Sequence, residues 1–178
     1  MTRGQDPRPA VCFRDGAPQD AAAIAAFFAS AFTDTFGYLY PPEDLAEFLR
    51  PMDADSFLGE LTDPQHSFRL AMHGDALVGL CKLGPPSLPF DAAGRRAIEL
   101  RQLYLAPSQH GTGVAHTLMN WALETAREHG FEDIYLSVFI DNHRARRFYE
   151  RYGFVEIGLY AFKVGNTIDD DRVMKLTL

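Results

Sequence analysis

The chain is poor in the residues that staple a fold or ligate a metal. Its 178 residues include two cysteines, Cys12 and Cys81. They lie too far apart for a redox Cys-x-x-Cys or a zinc spacing, so disulfide-framework and zinc-ribbon classes drop out. They read as reduced core residues of a cytoplasmic protein. Six histidines (His66, His73, His110, His116, His129 and His143) make no ligand spacing with acids or cysteines, so no metal site is expected. No apolar run stands out as a membrane span, and the start, MTRGQDPRP, is polar without a signal-peptide core. Residues 1–9 read as a flexible lead-in and 10–178 as one domain. Neither an internal repeat nor a linker interrupts it.

Positive charge is also short. A formal net charge of −7 excludes an ordinary nucleic-acid binder. The deficit is local. Asp34, Glu43, Asp44, Glu47, Asp53, Asp55, Glu60 and Asp63 face a single base, Arg50, so this segment holds the whole excess. It reads either as a solvated helical face or as a field that attracts a cation.

What remains is ordinary for a globular protein, 47% apolar and 23% charged. Ala10–Arg14 suits a short strand. Helical spacing follows from Pro18 to Phe32, then in PPEDLAEFL and DADSFLGEL. Phe68, Leu70 and Met72 alternate, HGD turns, and ALVGLCKL returns as a hairpin. AIELRQLYLAP is a strand, with Glu99, Arg101, Leu103 and Leu105 expected on one face. A helix runs from about Thr112 to His129, and DIYLSVFI is a strand. NHRARRFYERY is a helix capped by Asn142 and stopped by Gly153. FVEIGLYAFKV and RVMKLTL close the chain as strands.

The informative turn is SQHGTGVAHTLM, Ser108–Met119, where a strand passes through glycines into a helix. Unpaired N–H groups and the helix dipole favour an anion there. A Walker A loop would need a Lys after the glycines, and none follows. A dinucleotide fingerprint would need a third glycine where His116 stands. Coenzyme A is the remaining class.

Two segments together resemble the GNAT superfamily of acetyl-CoA-dependent N-acetyltransferases. His110-Gly111-Thr112-Gly113-Val114-Ala115 is similar to that family's pyrophosphate segment, with His110 where Gln or Arg is usual. Asn142, Ala145, Phe148, Tyr149, Gly153 and Phe154 are similar to its second segment. Asp34-Thr35-Phe36 and the tail FKVGNTIDDDRVMKL resemble the PaiA-type subset, which acetylates polyamines. The resemblance implies a single α+β or α/β domain. Its sheet is mixed, mostly antiparallel, of about six or seven strands with about four helices. One parallel strand pair splays apart at the cofactor.

The same resemblance implies the site. Acetyl transfer needs the thioester held beside the amine, a base, an oxyanion donor and an acid for the thiolate. Acetyl-CoA would lie along Leu103, Tyr104 and Leu105, with Asn142 and Ala145 in contact and its pyrophosphate on the glycine turn. Tyr149 is the candidate acid, although its spacing with Ala145, Phe148 and Tyr152 also reads as a core stripe. Glu99 is the candidate base, directly or through water; its other reading is an ion pair with Arg101. Asp34 or Glu47 could replace it. The acceptor would enter between Ala17 and Leu61, meeting Asp34, Phe36, Tyr38, Tyr40 and Glu47. A cationic small-molecule amine is expected, with no nucleic acid, no membrane, and a possible homodimer through the closing strands. A non-catalytic acyl-CoA sensor and a transferase for peptide amines remain open.

Overall fold

The computed structural model describes residues 10–178, so the expected lead-in at 1–9 lies outside the described residues. Strand β1 (Cys12–Asp15) leads into α1 (Ala21–Phe36), α2 (Pro42–Leu49) and α3 (Ala54–Thr62). The hairpin β2 (Ser67–His73) and β3 (Ala76–Gly84) precedes β4 (Ala97–Leu105), α4 (Val114–Glu128), β5 (Asp133–Phe139) and α5 (His143–Arg151). Strands β6 (Val155–Val164) and β7 (Thr167–Thr177) close the chain. The seven strands form one sheet in the order β1-β2-β3-β4-β5-β7-β6. Every neighbouring pair is antiparallel except β4 and β5, which are parallel.

Strand alternation sends neighbouring residues to two cores. Leu118 and Ala122 of α4 pack with Ala71, Cys81, Ile134 and Met174 on one face. Ile24, Phe28 and Phe32 of α1 pack with Phe57, Leu70 and Leu80 on the other. The spacing of Ile24, Phe28 and Phe32 puts one apolar stripe against the sheet, each buried ring or branched side chain contributing roughly 1.5–3 kcal/mol. With its flanking turns the helical run Pro18–Leu39 has 22 residues and mean hydropathy 1.3, enough by length and composition to cross a membrane. This revises the expectation that no run stands out: alanine and phenylalanine carry the hydropathy past Ser30, Thr33 and Asp34. Cys81 is buried as expected, but Cys12 is exposed, since it lies on the outermost strand.

Strand β4 departs from simple alternation. Leu83 pairs with Leu100 and Lys82 with Gln102, which leaves Arg101 as a bulge. Ile98 and Leu100 before the bulge, and Leu103 and Leu105 after it, all face the α4 core. Tyr104 faces the α1 core. The expected single face of Glu99, Arg101, Leu103 and Leu105 is therefore broken. Arg101 donates to the Pro85 carbonyl at 3.0 Å rather than pairing with Glu99. Pairing of β4 with β5 spans only Ala97–Glu99 against Asp133–Tyr135, and beyond it the two strands diverge. The splay expected near Ser137 is thus present, beginning right at the bulge.

Strand β7 is longer than its sequence suggested, since Thr167–Asp171 extend the strand expected from Arg172. Its hairpin with β6 turns at Gly165, φ 56°. Asp44 of α2 accepts from the Asn166 backbone N–H at 3.0 Å, and a Cβ on Gly165 would collide with the Asp44 side chain. Asp44 thus ties α2 to the closing hairpin. The edge strand β6 presents Val155, Ile157 and Leu159 to solvent.

Candidate active site

One cavity of about 910 Å³ follows the split between β4 and β5. At one end lies the glycine turn. Gly111 (φ 77°) and Gly113 (φ 92°) occupy the left-handed region, where side chains other than glycine are strained. A Cβ on either would meet nothing within 4 Å, so the glycines serve the backbone path and leave the space over the turn open. The first bond of this helix runs from Thr117 N–H to Gly113 O at 3.1 Å. The N–H groups of Val114, Ala115 and His116 are therefore without intrahelical acceptors and offer an anion site.

His110 and Arg144 frame that end. Arg144 Nη1 lies 2.9 Å from His110 Nδ1. Burial and the Arg144 charge hold the His110 imidazole below its usual pKa, so it is neutral at pH 7 and accepts from the guanidinium. His110, in place of the usual Gln or Arg, thus positions a cation instead of supplying one. Asn142 lines the cavity and also caps α5, accepting from Ala145 N–H at 3.2 Å. Leu103, Tyr104, Leu105, Ala115 and Ala145 line the cavity too. Thr112 and Val114 do not: Thr112 Oγ1 closes the turn on the Gln109 carbonyl at 2.8 Å, and Val114 is buried in the core.

Tyr149 lines the cavity, its ring edge-on to Phe148 and Phe154. Burial pushes its phenol far above the ordinary value, so it stays protonated at neutral pH. Glu99 also lines the cavity, but Oε2 already accepts from Ser87 N–H at 2.6 Å, Ser87 Oγ at 3.1 Å and Leu88 N–H at 3.2 Å. It holds the loop between β3 and β4 in place.

The far end carries groups that the sequence did not single out. Asp169 and Asp171 of β7 are buried and line the cavity, as do Gln102, Phe32 and Phe48. The Tyr40 hydroxyl donates to Asp169. Burial, then the Asp169 charge, push Asp171 up to about 7, while the Ser137 hydroxyl and Arg172 pull the other way. Lys82 also reaches this end, paired with Glu60 at 2.7 Å.

Of the expected acceptor residues, Phe36 and Tyr40 line the cavity. Asp34, Tyr38 and Glu47 are exposed and lie outside its lining. Three other acids of that segment have local tasks: Asp44 holds the hairpin, Asp53 caps α3 through Ser56 N–H, and Asp63 faces His66 at 3.1 Å. Glu60 alone of the eight reaches the cavity. A period-of-two reading of Asp169, Asp171 and Val173 would have found the carboxylates. Among the described residues no group of three His, Cys, Asp or Glu gathers to hold a metal.

Asp171 makes stability depend on pH. Its folded pKa lies above an unfolded value near ~3.9, so its contribution is full below about pH 4 and is lost as pH rises through about 7. Asp171→Asn is expected to change Tm little at pH 4 and to raise it by roughly 5 °C at pH 8. Thermal unfolding at both pH values checks this; an equal shift at both would contradict it.

The acetyltransferase (GNAT) family profile matches residues 25–154, which span the split strands, the glycine turn and α5. The chain belongs to the GNAT acetyltransferase family. An uncharacterized N-acetyltransferase of Mycobacterium tuberculosis is 35% identical over 156 residues, 87% of this chain and 96% of that protein. The aminoalkylphosphonate N-acetyltransferase of Salmonella typhimurium is 28% identical over 155 residues, 86% of this chain and 91% of that protein. Among solved structures, the PaiA N-acetyltransferase of Thermoplasma acidophilum, in complex with coenzyme A, matches with TM-score 0.75 at 19% identity, covering 95% of this chain and 99% of its own. The spermidine N-acetyltransferase of Vibrio cholerae, with coenzyme A and spermine, matches at TM-score 0.66 and 24% identity, over 94% and 95%. The seven-stranded sheet with its parallel β4–β5 pair is the GNAT fold, and this GNAT protein is an N-acetyltransferase.

Proposed function

We propose that this protein transfers the acetyl group of acetyl-CoA to a primary amine of a cationic small molecule of the polyamine class. The observation that carries the reading is the polarity of the cavity along the β4–β5 split. One end offers backbone N–H groups and Arg144, suited to phosphates; the other offers Asp169, Asp171 and aromatic walls, suited to an alkylammonium. Tyr149 lines the same cavity.

Acetyl-CoA supplies an activated thioester, and the residues of the chain do the rest. The turn at Gly111–Ala115 holds the pyrophosphate. The edge of β4 at Leu103–Leu105, released from β5 by the bulge, receives the pantetheine arm. Tyr149 keeps its proton at Oη and gives it to the departing sulfur. A cavity carboxylate removes the proton from the ammonium, whose pKa near ~10 otherwise leaves no lone pair to attack with.

A second reading follows the Salmonella relative, with an aminoalkylphosphonate as acceptor. The acceptor end disfavours it, since Lys82 there is already neutralised by Glu60. A panel of amines with acetyl-CoA and thiol detection separates these readings. Spermidine and spermine should exceed neutral and phosphonate amines in kcat/KM by about tenfold or more, roughly 1.4 kcal/mol of charge recognition. Equal rates across the panel would defeat the cationic-acceptor reading. Thiol release without any acetylated amine, or none at all, would favour a binding-only role.

A further inference from the structure

The acceptor end holds a polar group with its bonding incomplete. Gln102 is 7% exposed and lines the cavity, and its Oε1 is buried with no hydrogen-bond partner among the described residues. A buried acceptor without a donor is costly unless a ligand supplies one. The bulge at Arg101 puts Gln102 on the same face of β4 as Tyr104, toward the α1 core. Tyr104 lies within electrostatic reach of both Tyr149 and Asp171.

Four carboxylates line the cavity, and three are engaged. Glu60 is paired with Lys82 at 2.7 Å. Glu99 Oε2 already accepts from three donors on Ser87 and Leu88. Asp169 accepts from the Tyr40 hydroxyl. Asp171 has a weaker hold. On its own strand it meets the charges of Asp169, Asp170 and Arg172, and from β5 the Ser137 hydroxyl. Tyr160 of β6 and Phe139 of β5 are its register partners, and Tyr104 of β4 and Tyr40 before α2 complete its surroundings. No Lys or His is among these groups.

We propose that Asp171 is the general base of the transfer, with Gln102 Oε1 accepting a second N–H of the same acceptor ammonium. The inference rests on the acetyltransferase reading with a cationic amine and names the group that removes the proton. One proton passes from R–NH3+ to the Asp171 carboxylate. The freed nitrogen pair forms the N–C bond, and the C–S pair leaves with sulfur, which takes the Tyr149 proton. The second nitrogen proton returns to the Tyr149 oxygen. The proton on Asp171 leaves to solvent, so the balance is amide, thiol and one H+.

The experiment compares Asp171→Asn, Asp171→Glu, Glu99→Gln and wild type, using spermidine and acetyl-CoA from pH 6 to 9. Wild-type kcat/KM should rise through a pKa near 7. Asp171→Asn should lose that limb and about 10²–10³-fold in kcat, with coenzyme A affinity unchanged. Asp171→Glu should keep a displaced limb, and Glu99→Gln should keep the wild-type one. Calorimetry without the acetyl donor should show weaker spermidine binding to Asp171→Asn. An Asp171→Asn protein with kcat within threefold of wild type, or a limb lost in Glu99→Gln instead, overturns the assignment alone. A wild type that acetylates no amine overturns the underlying reading and this inference with it.

Discussion

Tyr149→Phe is expected to lower kcat about 10²–10³-fold while leaving coenzyme A affinity within about twofold. The ring is part of the core beside Phe148 and Phe154, and phenylalanine keeps that packing. What disappears is one proton donor in the cavity lining. Burial holds the phenol protonated across the neutral range, so it suits the acid role and not the base role. Loss of an acid needed only as sulfur departs should appear in single-turnover thiol release and not in binding. Unchanged single-turnover rates would remove Tyr149 from the chemistry and leave it a core residue.

Gly113→Val should act on the opposite quantity. Gly113 has φ 92°, where a β-branched residue is a severe outlier. No neighbouring atom blocks a side chain, so the cost comes through the backbone, which must rotate away from the left-handed region. That rotation swings the N–H groups of Val114 and Ala115 off the anion. Coenzyme A affinity should fall roughly 100-fold, about 2.7 kcal/mol, with kcat at saturating donor much less affected. Gly59→Ala is the matched control. Gly59 lies in α3 with open space around it, and alanine there should be neutral or stabilising by about 0.5–1 kcal/mol. Titration calorimetry of the two variants checks the contrast; equal affinities would mean that the turn does not carry the phosphate.

The legible part of this protein was the donor half. Gly111, Gly113 and Asn142 announce themselves because left-handed backbone angles and a helix cap need particular residue types, whereas Tyr149 stood out only through the family resemblance, its spacing alone being that of a core stripe. The acceptor half was less legible. Charge counting drew attention to Asp34 and Glu47, yet both face solvent, and most of their acidic neighbours serve as cap, tether or ion-pair partner. Asp169 and Asp171 lie in a stretch whose three consecutive acids argue against a strand by propensity. Pairing with β5 and β6 overrides that propensity and turns alternate acids into the cavity. The bulge at Arg101 was equally hidden. A regular period of two cannot register one extra residue, so Glu99 and Leu103 were assigned to the same face when they belong to opposite ones.

On the proposed function, one cavity would carry an acetyl group from its glycine-turn end to a cationic amine at its acidic end. The most direct measurement gives the protein acetyl-CoA with a deuterated acetyl group together with spermidine, and resolves the products by mass. Monoacetylated spermidine carrying the label is expected, formed one for one with free coenzyme A thiol. Bound coenzyme A with no labelled amine, at saturating concentrations of both substrates, would contradict it.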